Sequence, residues 1–546
     1  MAPDPRTVAP MTSAASVPRL SRRSFLAALA AGAAGVATGC SGSDGDGASS
    51  SSTAVPPTTP VARPSARPSA LFGLGVASGD PLADSVVLWT RLAPGPGGGA
   101  PPTGHVSVGW EVADDEEFTA VVASGEVAAV ADLAHSVHVD ARGLAADRWY
   151  WYRFTVDDEV SPVGRTRTTP APDASPDRLR FAFASCQDWA DGRYTAHDHL
   201  AEEDLDLVVF LGDYIYETGA GDEGDDAVRR YDTDEPVDLA GYRARYALHK
   251  SDPSLQAAHA RCPWLLTWDD HEVDDNYAGA VAGDGASGEG FLARRAAAYQ
   301  AYYEHQPLRV DPPTGPDLRI HRSFAFGDLL TFFVLDTHQY RDAQPCDDED
   351  DLGRACEAVE GTDLLGAEQE AWLFDGLRSS GAIWNVVAQQ VVMTPVEVPF
   401  GDPPLVNLDQ WDGYPSSRQR LLEVFADGGV ANPVVLSGDI HAGGAADRHR
   451  DPTDTSSPTV AAEFVGPSIS SAFPARFVAL VEAAAAVASP LGYLNASQRG
   501  YVRCEVTRDR WRTDYRLVDT TSNRTSAVAT DATFELRAGR PGIERL

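Results

Sequence analysis

Six apolar runs in the C-terminal part of this chain each end in polar residues, and that pattern limits the folds open to it more than any other feature. They are "LRFAFASC", "LDLVVFLGDYIYE", "WLLTWDDHE", "LLTFFVLDTHQYR", "WNVVAQQVV" and "NPVVLSGDIHAG". Continuous apolar runs of this length predict strands buried on both faces, as in a sheet covered by helices. Helical patterns such as "AEQEAWLFDGLRSS" and "SRQRLLEVFADGG" alternate with them, so an α/β domain is expected. Ligand sites in such folds gather at the carboxyl ends of strands, which would bring these Cys, Asp, His and Gln residues to one place. In "TWDDHEVDDNY", Thr267 to Tyr277, five carboxylates surround one histidine. Carboxylates this close repel one another unless something positive sits among them. Several such strand ends on one sheet edge point to a metal site.

Residues 71–168 follow another rhythm. Short segments such as "DSVVLWTRL", "HVSVGWEV" and "RWYWYRFTV" alternate with period two between frequent turns, which predicts an all-β sandwich of immunoglobulin or fibronectin type. Trp149 and Trp151 are expected in its core, and no chemistry is assigned to it. Ahead of it, Arg22 and Arg23 precede an apolar stretch, Phe25 to Thr38, too short to span a bilayer. Residues 1–40 thus have the form of a twin-arginine export signal, with Cys40 a candidate for lipid anchoring. Residues 41–70 are rich in Ser, Gly and Pro and read as a tether. The expected partition continues with a catalytic domain over 176–525 and a tail over 526–546. Such a chain would use the twin-arginine export machinery and end up extracellular, periplasmic or lipid-anchored at the outer face of the cell membrane, as a monomer.

Charge narrows the partners. With 80 acidic against 44 basic residues, a formal net charge of -36 and Lys250 as the one lysine, nucleic acid and anionic membrane surfaces are excluded as general partners. Of six cysteines, Cys346 and Cys356 bracket a short acidic loop and are expected to form a disulfide. Cys262 and Cys504 either pair or stay as buried thiols.

The order GD-x-x-Y, DDHE and GDIH resembles the metallophosphoesterase series, whose strand ends carry GD, GNH[DE] and GHxH. With the cysteine of "FASC", the "WDDHE" in place of GNHE, and "GVASGDPLADSVVLWTRL" at the start of the β domain, the chain is similar to the PhoD family of alkaline phosphatases and phosphodiesterases from Leu71 to about Asp519. The resemblance implies a two-sheet α/β sandwich flanked by helices, and hydrolysis of phosphate monoesters or diesters by a metal-activated hydroxide. It also implies Fe3+ at Cys186, Asp213, Tyr216 and His441, and Ca2+ at an oxygen-rich second site containing Asp270 and Asp439; Zn2+ or Mn2+ are alternatives. Gln389 stands where related enzymes place a histidine ligand. The residue types suit these roles: Asp213 has two oxygens to share between cations, a hard trivalent ion tolerates a phenolate, and hard oxygen ligands favour calcium. His271 is assigned as general acid or transition-state stabiliser, with Asp269 or Glu272 orienting its ring, and Arg341 as phosphate clamp. His338 replaces the arginine common in relatives.

Other residues receive plainer readings. His197 and His199 are assigned to packing or solvent exposure, Asp274 and Asp275 to a solvated loop, and Tyr214 to the core. Ser468 and Ser470, in "AEFVGPSISS", lack the histidine and acid that a serine nucleophile needs. Two rival functions are a phosphodiesterase preferring teichoic acids or phospholipids, and a noncatalytic calcium-binding surface protein.

Overall fold

The structure, a computed structural model, describes residues 70–93, 102–344, 356–395, 405–473 and 492–546, with a few isolated positions between these segments. The export signal with Cys40, and the tether up to residue 69, lie outside the described residues. Two large sheets pack face to face. One has ten strands and includes Arg178–Ala184, Leu207–Phe210 and Trp264–Leu266 as parallel neighbours. The other has seven and includes Leu330–Val334, Trp384–Ala388, Pro433–Ser437 and Thr459–Val465, also parallel.

Period-two alternation assigns each strand's side chains to two different cores. Phe181, Phe183, Leu207 and Val209 meet Phe332, Val334, Val386 and Leu436 between the sheets. Ala182, Ala184, Val208 and Phe210 face outward onto helices Thr195–Glu202, Leu239–Lys250 and Glu289–His305. On the far side, Phe333, Val387 and Val435 pack under helices Gly366–Ser379 and Pro415–Ala426. Both faces of these strands are buried, which is why the runs are apolar without interruption. No helix among the described residues is long and apolar enough to cross a membrane.

The N-terminal sandwich shares a sheet with its neighbour. Strands Val76–Gly79, Ser85–Arg91 and Ser136–Arg142 extend the ten-stranded sheet beyond Trp264–Leu266. Against them packs a separate sheet containing Val106–Ala113, Val121–Ala129 and Trp149–Val156. Trp149 and Trp151 are not in its core: they are half-buried on the outer face, while Tyr150, Tyr152 and Phe154 fill the interior. A one-residue change of parity turns the whole strand over, and Arg165 lies 3.5 Å above the outward Trp149 ring.

Residues 526–546 are more than a tail. Val528–Arg537 and Arg540–Arg545 form the hairpin at the other edge of the ten-stranded sheet, and Ala532, Phe534 and Leu536 enter the inter-sheet core. The disulfide Cys346–Cys356 is present, with Cα atoms 6.0 Å apart. Cys262 and Cys504 are buried free thiols in cores on opposite faces of the ten-stranded sheet, which keeps them from pairing. His197 is packed, hydrogen-bonded to Gln187 Oε1 at 2.7 Å. Tyr214 is buried with its hydroxyl 2.7 Å from His259 Nε2. Asp274 is half-buried rather than solvated, because it pairs with Arg294 at 2.9 Å.

Candidate metal centre

The parallel strands of both sheets release their polar ends on the same edge of the sandwich. There the backbone turns sharply. Cys186, Asp213, Asp439 and His441 all have left-handed φ values, 58°, 54°, 65° and 57°, a conformation that costs a non-glycine residue roughly 1–3 kcal/mol and is retained mainly at functional sites. Glycines make the approach possible. A Cβ on Gly212 would lie 2.4 Å from the Asp269 Cβ, and one on Gly438 would lie 2.5 Å from Ser185 Oγ.

The result is a set of overlapping clusters, each with ligand-type atoms within 4.8 Å of one another. Cys186, Asp213 and His441 form one. Asp213, Asp269, Asp270 and Asp439 form a second, and His271 joins Asp213 and Asp270 in a third. A fourth holds Asp269, Asp270 and His338. Tyr216 adds its hydroxyl to the first, 2.8 Å from Asp213 Oδ2 and 3.1 Å from His441 Nε2. Seven of the nine residues picked out in the sequence therefore converge. Asp213 belongs to both the cysteine-containing cluster and the all-carboxylate one.

Burial makes this concentration of charge demanding. The Cys186 thiol is pushed up by burial and then by the negative Asp213 and Asp439, so a thiolate there needs a cation. Glu272 is pushed up to about 8 by burial and by Asp213. Its carboxylate accepts hydrogen bonds from the backbone N–H groups of Asp213 at 3.1 Å, Asp269 at 2.8 Å and Tyr214. It is thus the staple joining the two loops that carry the acidic cluster.

Three expectations change. The ring of His271 is oriented by Glu217, whose Oε2 lies 2.6 Å from Nδ1, and not by Asp269 or Glu272. Burial works against ionising Glu217, yet the adjacent His271 holds its pKa below the usual value. Asp269 instead pairs with His338 Nε2. Gln389 is tied into the scaffold: its amide donates to Val391 O and Ser437 Oγ, and its carbonyl accepts from Trp411 Nε1. Arg341 is fully enclosed, donating to Asp409 Oδ1 at 2.8 Å, Asp409 O at 3.2 Å and Asn276 O at 3.0 Å. Those bonds tie two loops together and commit both terminal nitrogens of the guanidinium to protein oxygens. Besides Glu217, sequence reasoning missed Gln410, whose amide donates to Asp439 Oδ2 at 2.6 Å; nothing in the local pattern around it signals that role.

Arg341→Met is accordingly expected to act on stability. Removing one partner of a buried ion pair strands the other charge and costs roughly 3–5 kcal/mol, read as a lower denaturation midpoint. An unchanged midpoint with a raised KM would restore the clamp.

The geometry can be set against known proteins. Residues 181–515 match the model of the PhoD-like phosphatase family, and residues 58–170 match that of the PhoD-like phosphatase N-terminal domain. The chain belongs to the PhoD-like phosphatase family. Alkaline phosphatase D of Bacillus subtilis (strain 168) is 46% identical over 479 residues, 87% of this chain and 82% of the relative. A solved structure described as that of PhoD superposes with a TM-score of 0.81 at 45% identity, covering 89% of this chain and 93% of that one. As a PhoD-like phosphatase the chain is a hydrolase of phosphoric esters with an α/β fold of the expected kind. That sets aside the noncatalytic alternative. Its clusters of Asp, His and Cys suit a metal-dependent enzyme.

Proposed function

We propose that the protein is an exported alkaline phosphatase that holds Fe3+ and Ca2+ side by side and hydrolyses phosphate monoesters, diesters or both. The observation that carries this reading is the double membership of Asp213, which sits between a mixed sulfur, nitrogen and oxygen donor set and a set made of carboxylates alone. Cys186, Tyr216 and His441 with Asp213 suit a trivalent ion that accepts phenolate and thiolate. Asp269, Asp270 and Asp439 with Asp213 suit a hard divalent ion such as calcium. When bound, the two cations supply acidified water and neutralise the phosphoryl oxygens during in-line displacement.

The chain's own residues do the rest. Glu272 fixes the spacing of the loops that carry Asp213, Asp269 and Asp270. Glu217 anchors His271 at Nδ1, so the ring is turned to offer Nε2 to the leaving oxygen as the P–O bond breaks, and the alcohol departs with that proton. Arg22 and Arg23 support export by the twin-arginine route, with Cys40 as the anchoring position.

Elemental analysis of protein purified without chelators is expected to show iron and calcium; zinc or manganese in their place would overturn the metal assignment. Turnover of a nitrophenyl monoester against its bis-nitrophenyl diester separates the phosphatase from the diester-preferring alternative.

A further inference from the structure

The segment "AEFVGPSISS" has no nucleophile's partners, yet its last serine touches the metal centre. Ser468 Oγ and Ser470 Oγ donate to the backbone carbonyls of Ser471 and Asp188. Ser471 behaves differently. Its Oγ accepts from the Asp188 N–H at 2.9 Å and lies 2.8 Å from the Tyr216 oxygen. A backbone N–H can only donate, so the serine oxygen is the acceptor in that contact and its single proton is left for another acceptor. The Tyr216 oxygen is the acceptor placed to receive it. We infer that Ser471 is a positioning residue whose hydroxyl donates to the Tyr216 oxygen and stabilises it as an anionic metal ligand.

The surroundings favour this direction. As a neutral phenol, Tyr216 can accept from Ser471 while donating to Asp213 Oδ2 at 2.8 Å. As a metal ligand Tyr216 would have no proton to give Asp213, whereas the bond from Ser471 would remain and be strengthened by the phenolate charge. Ser471 is fully buried and Tyr216 nearly so, so water is poorly placed to replace the donor. The loop itself is held independently, because the N–H groups of Ser470 and Ser471 both reach Cys186 O at 3.3 Å. Truncating the side chain should leave the backbone in place.

The inference rests on the reading of Tyr216 as an iron ligand, and the test separates the two. Wild-type protein should show a visible charge-transfer band that Tyr216→Phe removes. A hydrogen bond lowers the energy of phenolate electrons, so Ser471→Ala should move that band to longer wavelength and weaken iron binding by about 10- to 100-fold, as for other partners of metal ligands. Ser471→Thr should restore both, and Ser471→Cys, of similar size but a weaker donor, should fall between. A wild-type protein without the band overturns the ligand reading and the inference with it. A band present in wild type but unmoved in Ser471→Ala and Ser471→Cys, with equal iron retention, overturns the inference alone.

Discussion

Asp213→Asn is expected to lower hydrolysis of nitrophenyl phosphate by roughly two orders of magnitude or more, as when a bridging ligand of a two-metal site is lost. The substitution keeps the shape and removes the charge and one acceptor oxygen. Both neighbouring donor sets include this residue, so elemental analysis should show loss of both metals rather than one. The fold should survive, because the backbone N–H of residue 213 still reaches Glu272 and the inter-sheet core does not include it. Near wild-type turnover in a metal-depleted variant would defeat the assignment of this centre as catalytic.

The strand ends were legible because their signal is local and strong: apolar runs buried on both faces, each broken by a residue able to bind a cation. Asp213, Asp270, Asp439 and His441 follow such runs within a few positions, and they meet. What was hidden depends on direction and partnership. The left-handed backbone at Cys186 and Asp213 has no signature at those residues, and only the glycine of the GD pair hints at it. The parity of "RWYWYRF" puts its tyrosines inward where its tryptophans were expected, and the outward Trp149 packs under Arg165, a contact that no pattern announces.

Long-range partnership was hidden in the same way. Asp269 and Glu272 are the sequence neighbours of His271, but residues adjacent in a tight turn point apart. One faces His338, the other binds backbone, and the carboxylate at the ring's Nδ1 comes from a loop 54 residues earlier. Gln389 was assigned by analogy of position and Arg341 by the fork its guanidinium offers a phosphate, and neither argument fixes what the side chain binds. Sharing of a sheet by Val76–Gly79 and Trp264–Leu266 likewise joins segments far apart in sequence, a register that alternation alone does not specify.

Glu217→Gln tests the part of the site that sequence reasoning did not find. In the native arrangement Glu217 Oε2 meets His271 Nδ1 at 2.6 Å while Oε1 accepts from the Asp275 N–H at 2.9 Å. A glutamine can accept at one end only, so either it meets the Asp275 N–H as a second donor or its NH2 turns His271 Nδ1 into an acceptor, and the ring loses the partner that favours its protonated form. Turnover is expected to fall about 10- to 100-fold, with KM little changed and the metal content of the wild type retained. That combination separates Glu217 from Asp213. The chemistry adds a sharper measure, because an acid matters most when the departing oxygen is a poor leaving group. If Glu217 works by setting His271 for proton delivery, the loss should be larger with an alkyl phosphate than with nitrophenyl phosphate, whose leaving oxygen needs little help. Equal losses on both substrates would mean that the pair does not deliver the proton, and that Glu217 only braces the turn carrying Asp270.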